Sequence, residues 1–290
     1  MGKTQSHSLN SKPENMITKR KGNHKMKKKT KIVLGLTGSL IVLLPLAGLI
    51  VTGSLISWGP FCFLGDIRLS NLPGNRSEYH LENVKELENS PLKGKKIAYL
   101  GSSVTYGAYA QGTSFVEYIS KRNGCTHVKE AVSGTTLTKS DSSYVSRIEK
   151  FDKKTDFDLF VCQLSTNDAS KNKPLGEIHS EDTSTVCGAI NYIYKYATET
   201  WHCPFVVYTN SYYENWNYKK MVNKLGEMSA MDHGIRVIDL FDDERFNNIT
   251  DEERKLYMVD KIHPSKAGYL KWWTPEIEKA MYSILAEPDL

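Results

Sequence analysis

Apolar positions are distributed along this chain in two different ways. Residues 32–56, IVLGLTGSLIVLLPLAGLIVTGSLI, run for 25 positions without a charge. At 1.5 Å rise per residue such a run crosses a hydrocarbon core of about 30 Å with some tilt. It predicts one transmembrane helix over 32–57, with Pro45 and the glycines tolerable where neighbouring groups satisfy the freed backbone. A cleaved signal peptide is the alternative, but the run is long for that role and no A-x-A site follows it. From residue 94 onward the apolar residues come in short bursts instead. KKIAYLG (95–101), HVKEAV (127–132), DFDLFVCQL (156–164), CPFVVYTN (203–210) and IRVIDLF (235–241) read as strands. Between them SFVEYISKRNG (114–124), SSYVSRIEKF (142–151), 182–201 and 216–231 carry helical spacing, and 265–287 reads as a closing helix interrupted near Pro275. Residues 58–93 are irregular and read as a juxtamembrane linker with a short helix near 79–90.

Five short strands alternating with helices predict an α/β fold, a five-stranded parallel sheet covered on both faces. Right-handed crossovers restrict this to doubly wound topologies, whose ligands bind beyond the carboxyl ends of the strands. The domain is set at 94–290.

Charge changes the picture at the N-terminus only. The chain carries +5, but residues 1–31 hold ten Lys/Arg against Glu14 alone, which leaves 28 basic and 32 acidic residues, net −4, for the remainder. A basic arm on an acidic domain is not the footprint of a nucleic-acid-binding protein. The cluster Lys25–Lys31 directly before the apolar run predicts a cytoplasmic tail over 1–31 and a domain on the outer side of the membrane. Trp58 and Phe61 are expected at the outer interface. The five cysteines (Cys62, Cys125, Cys162, Cys187, Cys203) show no metal-ligand spacing, and disulfide connectivity is not readable from sequence. Cys162 sits in a strand-like run and is expected as a small core residue.

The strand ends carry the candidate chemistry. After the first strand comes Gly101-Ser102-Ser103-Val104-Thr105-Tyr106-Gly107, a serine at a strand-to-helix turn where helix N–H groups are available to an oxyanion. Thr105 occupies the place of the second Gly in a G-x-S-x-G elbow, and no Walker lysine is present. After the second strand comes Ser133-Gly134-Thr135, and after the third Ser165-Thr166-Asn167-Asp168, whose Asn can supply a neutral side-chain donor. Near the C-terminus stands Asp260-Lys261-Ile262-His263-Pro264. An Asp three residues before a His can accept its Nδ1–H and leave Nε2 free as a base. Pro264 is expected to open the following helix. Singly these are ordinary caps and turns; in order, at successive strand ends, they form a constellation.

That constellation resembles the SGNH (GDSL-like) hydrolase family, whose four blocks supply a Ser, a Gly, an Asn and a His. The resemblance spans about residues 95–285. It implies a flavodoxin-like three-layer α/β/α sandwich, with Ser103 as nucleophile, His263 as base and then acid, and Asp260 orienting His263. It also implies an oxyanion hole from the Ser103 N–H, the Gly134 N–H and the Asn167 side chain, with no metal and no cofactor. Two blocks depart from the pattern: Ser102 stands where the family has Asp, and Ser165 where it has Gly. The implied activity is ester hydrolysis through an acyl-enzyme, and the expected placement of the domain outside the membrane points to small O-acyl groups, such as acetyl, on a glycan or cell-surface substrate. Acyl transfer by the same residues and a non-catalytic binding module are the alternatives. The loop Ser211-Tyr212-Tyr213-Glu214-Asn215-Trp216 is expected to pack rather than to stack on sugars. Protein partners are not readable.

Overall fold

Residues 45, 47–51, 63–231 and 234–286 are described by the structure, a computed structural model. Each apolar run sends alternate residues to opposite faces of one sheet, as a period of two requires. The strands are β1 (Lys96–Gly101), β2 (Thr126–Ala131), β3 (Leu159–Gln163), β4 (Phe205–Tyr208) and β5 (Ile235–Ile238). All pairings are parallel, in the order β2-β1-β3-β4-β5. This is the flavodoxin-like order, with its switch point between β1 and β3.

The two faces bury separate apolar clusters. Ala98, Leu100, Phe160, Cys162, Phe205 and Val207 point to one face. They pack there against α4 (Tyr144–Arg147), α6 (Val186–Trp201) and α7 (Trp216–Met231). Ile97, Tyr99, Leu159, Val161, Val206 and Tyr208 point to the other, against α3 (Phe115–Asn123) and α11 (Thr274–Ala286). A three-layer α/β/α sandwich results. Helix signals in the sequence account for the ends: Ser114 and Glu117 form a capping box at α3, and Gly124 closes it with φ +63°. The interruption of the last helix is a π turn over Tyr269–Trp273, directly ahead of Pro275. Proline has no N–H for the Lys271 carbonyl and crowds it, and the widened turn absorbs both.

Three expectations change. The segment 58–93 is not a linker throughout: the compact unit begins at Arg68. Its residues form α1 (Phe63–Ser70) and 3₁₀ turns at Pro73–Asn75, Ser77–Tyr79 and Leu81–Asn83, in place of a helix near 79–90. Leu69, Asn75, Tyr79, Val84 and Leu92 are buried, and Asn75 links Leu69 O and Tyr109 O to the Lys266 N–H. Pro264 does not open a helix. It bridges Met258, and the helix beyond it, α10 (Lys266–Gly268), is capped by Ser265. Finally, 142–151 holds one α turn and one 3₁₀ turn rather than a full helix.

The basic tail 1–31, Trp58, Phe61 and Cys62 lie outside the described residues, as does most of the uncharged run 32–56. Residues 45 and 47–51 are helical and exposed. Among the described residues no helix is long and apolar enough to cross a membrane. Cys125, Cys162, Cys187 and Cys203 are free and buried, and burial pushes the Cys125 and Cys187 thiols up to about 11 and Cys203 to about 12.

Candidate active site

β1 ends at Gly101, where a Cβ would collide with the Thr105 side chain. The chain turns through Ser102 into α2 (Ser103–Tyr106), so Ser103 is the first helical residue and its N–H has no partner in the helix ladder. Ser103 is 8% exposed. Its Oγ lies 2.8 Å from His263 Nε2. On the far side of the ring, His263 Nδ1 is 2.8 Å from Asp260 Oδ2 and 3.0 Å from Oδ1. With the proton on Nδ1, the ring donates to Asp260 and accepts from the Ser103 hydroxyl.

The Asp260 carboxylate also accepts the Ile262 and His263 N–H groups, each at 2.7 Å. Desolvation acts to raise its pKa, but the His263 hydrogen bond and charge and the two N–H groups outweigh it. The carboxyl is held below the ordinary Asp range. The Tyr109 ring stacks on His263 with centroids 4.6 Å apart.

Gly134 and Asn167 follow β2 and β3 and share this carboxyl edge with Ser103. Gly134 has φ +78° with open space where a Cβ would stand, so backbone conformation rather than crowding calls for glycine. Its carbonyl accepts from Lys171 Nζ at 2.9 Å. Asn167 lies in α5 (Thr166–Ser170), and its Nδ2 donates to Thr135 O at 2.9 Å. An amide carries two such hydrogens, so one remains. Ser165, standing where the family pattern has Gly, caps α5 by accepting the Asn167 and Asp168 N–H groups. Asp168 is fully buried and accepts the Leu137 and Thr138 N–H groups, tying the two loops together.

Two further side chains hold the strand ends from beneath, and neither was singled out in the sequence. Gln163 Oε1 accepts the Ser102 N–H at 2.8 Å and the Thr105 hydroxyl at 2.8 Å, and the Ser102 hydroxyl at 3.3 Å. Arg147, 2% exposed, donates to Gly101 O (2.7 Å), Glu130 O (2.9 Å), Thr135 Oγ1 (3.0 Å) and Ser142 O (3.0 Å). A glutamine inside the apolar run LFVCQL was a readable sign of a buried polar role. Nothing local marks Arg147.

In the loop after β4, Tyr213 is buried against Tyr218 and Phe241, as expected of a packing residue. Tyr212 and Trp216 are 52% and 72% exposed.

The fold and this edge define a three-layer α/β/α sandwich of flavodoxin-like order that carries a Ser-His-Asp chain of hydrogen bonds. Residues 99–271 match the model of the GDSL-like lipase/acylhydrolase family, and the chain belongs to that family. A protein from Lactobacillus plantarum has a similar structure (TM-score 0.56, 18% identity), covering 68% of this chain and 99% of its own. Proteins described as GDSL-like lipases from Bacteroides ovatus (TM-score 0.50, 19% identity, 66% and 99% covered) and Bacteroides uniformis (0.51, 17%, 66% and 97%) are similar as well. At these identities the likeness shows the fold. No curated protein matches the chain.

Proposed function

We propose that this protein is a membrane-anchored serine ester hydrolase acting outside the cytoplasmic membrane, with Ser103 as nucleophile. The observation that carries the reading is the continuous chain Ser103 Oγ–His263–Asp260, at 2.8 Å on each side of the imidazole. Ser103 Oγ attacks the acyl carbonyl carbon as its proton passes to His263 Nε2. The oxyanion takes hydrogen bonds from the Ser103 and Gly134 N–H groups and the second N–H of Asn167. Each such donor is worth about 10²–10³ in rate in related chemistry. Collapse of the tetrahedral adduct breaks the bond to the alcohol oxygen, which receives the proton from His263. Water then attacks the acyl-enzyme by the same route, giving the free acid and restoring the serine hydroxyl. Asp260 fixes the tautomer and balances the imidazolium.

The substrates proposed are small O-acyl esters, acetyl above all, on a glycan or another cell-surface polymer. The uncharged run at 32–56 and the cytoplasmic basic tail support a single anchor over 32–57. Reporter fusions before and after that run test the orientation. The mechanism is tested with the full chain on p-nitrophenyl acetate and butyrate beside Ser103→Ala. Loss of at least 10³-fold in kcat, with unchanged thermal unfolding, is expected. Equal activity in both proteins refutes the serine mechanism. Transfer of acetyl to an added sugar, without release of free acid, replaces hydrolysis with acyl transfer.

A further inference from the structure

Asp260 forms one end of a groove that the hydrolytic chemistry does not use. The groove encloses about 580 Å³ between the loop after β4 and α9 (Asp251–Tyr257) with the residues that follow it. Tyr212 and Met258 supply apolar lining, and Arg254, Lys255 and Lys261 supply three cations. Lys255 and Lys261 are exposed, and among the described residues neither forms an ion pair. Arg254 reaches only the Asn247 carbonyl, at 3.4 Å. The opposing carboxylates are Glu214 and Asp260, and Asp260 is engaged with His263. Across Ser103, Lys171 stands at the Gly134 carbonyl. These cations flank the site on a chain that carries net −4 beyond residue 31.

Tyr212 is backed by Phe241, with ring centroids 5.2 Å apart, yet remains half-exposed. A ring so placed suits the apolar face of a sugar, and unpaired cations beside it suit an anionic substituent. The groove adjoins the candidate site through Asp260, which lines it and accepts from His263 Nδ1 at 2.8 Å.

Resting on the esterase reading above, we propose that this groove is the subsite for the alcohol portion of the substrate, and that this portion is an anionic acylated glycan. Lys255, Lys261 and Arg254 recognise its charge, and Tyr212 recognises its ring. The attraction is between solvent-facing charges and is screened by salt.

The test measures kcat/KM of the full chain on four esters: O-acetylated polygalacturonate, an O-acetylated glycerol-phosphate polymer, neutral acetylated xylan and p-nitrophenyl acetate. A preference of at least tenfold for an anionic polymer over xylan is expected, and the arm that shows it distinguishes carboxylate from phosphate. Raising salt to 0.5 M and the double variant Lys255→Glu/Lys261→Glu each reduce that anionic-to-neutral ratio at least fivefold. Lys255→Gln/Lys261→Gln gives a smaller fall, which separates charge from misfolding. Equal rates on charged and neutral polymers overturn the proposal, as does a charge-reversed variant that slows all four esters alike. If hydrolysis of p-nitrophenyl acetate depends on Ser103 while no anion preference appears, the subsite alone falls. If no ester is hydrolysed through Ser103, both readings fall.

Discussion

Ser103 and His263 sit 2.8 Å apart, yet the backbone beneath each is held in a different way. Around the serine three buried side chains from far along the chain add to the local helix bonds. Gln163 takes the Ser102 N–H, Arg147 takes the Gly101 carbonyl, and the Tyr269 hydroxyl donates to the Val104 carbonyl from 165 positions away. All of these groups are buried. The histidine loop instead braces itself. Asp260 binds N–H groups two and three residues on, Val259 N–H meets His263 O, and Met258 bridges Pro264. The Asp260 side chain is 42% exposed. The serine's position therefore depends on the whole sheet edge, and the histidine's mainly on one short loop, to which Asn210 Nδ2 and the Tyr109 ring add one distant contact each. Damage to the first should lower stability and activity together, whereas damage to the second should lower activity far more than stability.

Asp260→Asn gives the sharpest separation. On the proposed mechanism kcat on p-nitrophenyl acetate falls about 10³–10⁴-fold from the wrong imidazole tautomer, while the melting temperature falls by much less than in the serine-edge variants below. A large drop in both breaks the comparison. The same variant has a pH signature. The Asp260 pKa is lowered in the fold, so its contribution to stability is present above the ordinary Asp value of about 3.9 and is lost as pH falls through the lower folded value. In Asp260→Asn that acid limb is absent from a stability–pH curve.

Arg147→Met removes the guanidinium donor from the Gly101, Glu130 and Ser142 carbonyls. It is expected to cost about 3 kcal/mol or more in chemical denaturation, with activity falling alongside. Gln163→Leu orphans the buried Ser102 N–H and costs about 1–3 kcal/mol. Unchanged activity in a folded Gln163→Leu protein shows that the Ser102 bond does not position the proposed nucleophile. Tyr109→Leu removes the ring stacked on His263. A loss of roughly 2- to 10-fold in kcat/KM without a change in melting is the expected result.

Much of this architecture was legible because each strand is a short apolar run ended by a turn. The helix boundaries are less so. The run 156–164 overshoots β3 because the Asp158 carboxylate is occupied by the Lys96 N–H and Lys95. The run 182–201 starts early because Thr185 caps α6 and leaves Asp182 in a turn. The packing of 68–93 was illegible, since 3₁₀ turns anchored by scattered residues such as Asn75 and Tyr79 leave no period to read. At the candidate site, Ser103, Gly134 and Asn167 draw notice by their place after successive strands, and the fold brings them to one edge. Arg147 draws none, because its meaning lies in carbonyls that only the folded sheet brings within reach.

The separation of 160 positions between Ser103 and His263 also sets an order of events in time. β1 pairs with β2 and β3 on either side, and β4 and β5 then add outward. Parallel pairing of this kind needs distant segments to meet and is slow. The histidine loop and the helix behind it lie beyond β5, after all five strands in the chain. Hydrolytic competence is thus a late event in folding, and in a refolding experiment the return of turnover should trail the return of the helical circular-dichroism signal.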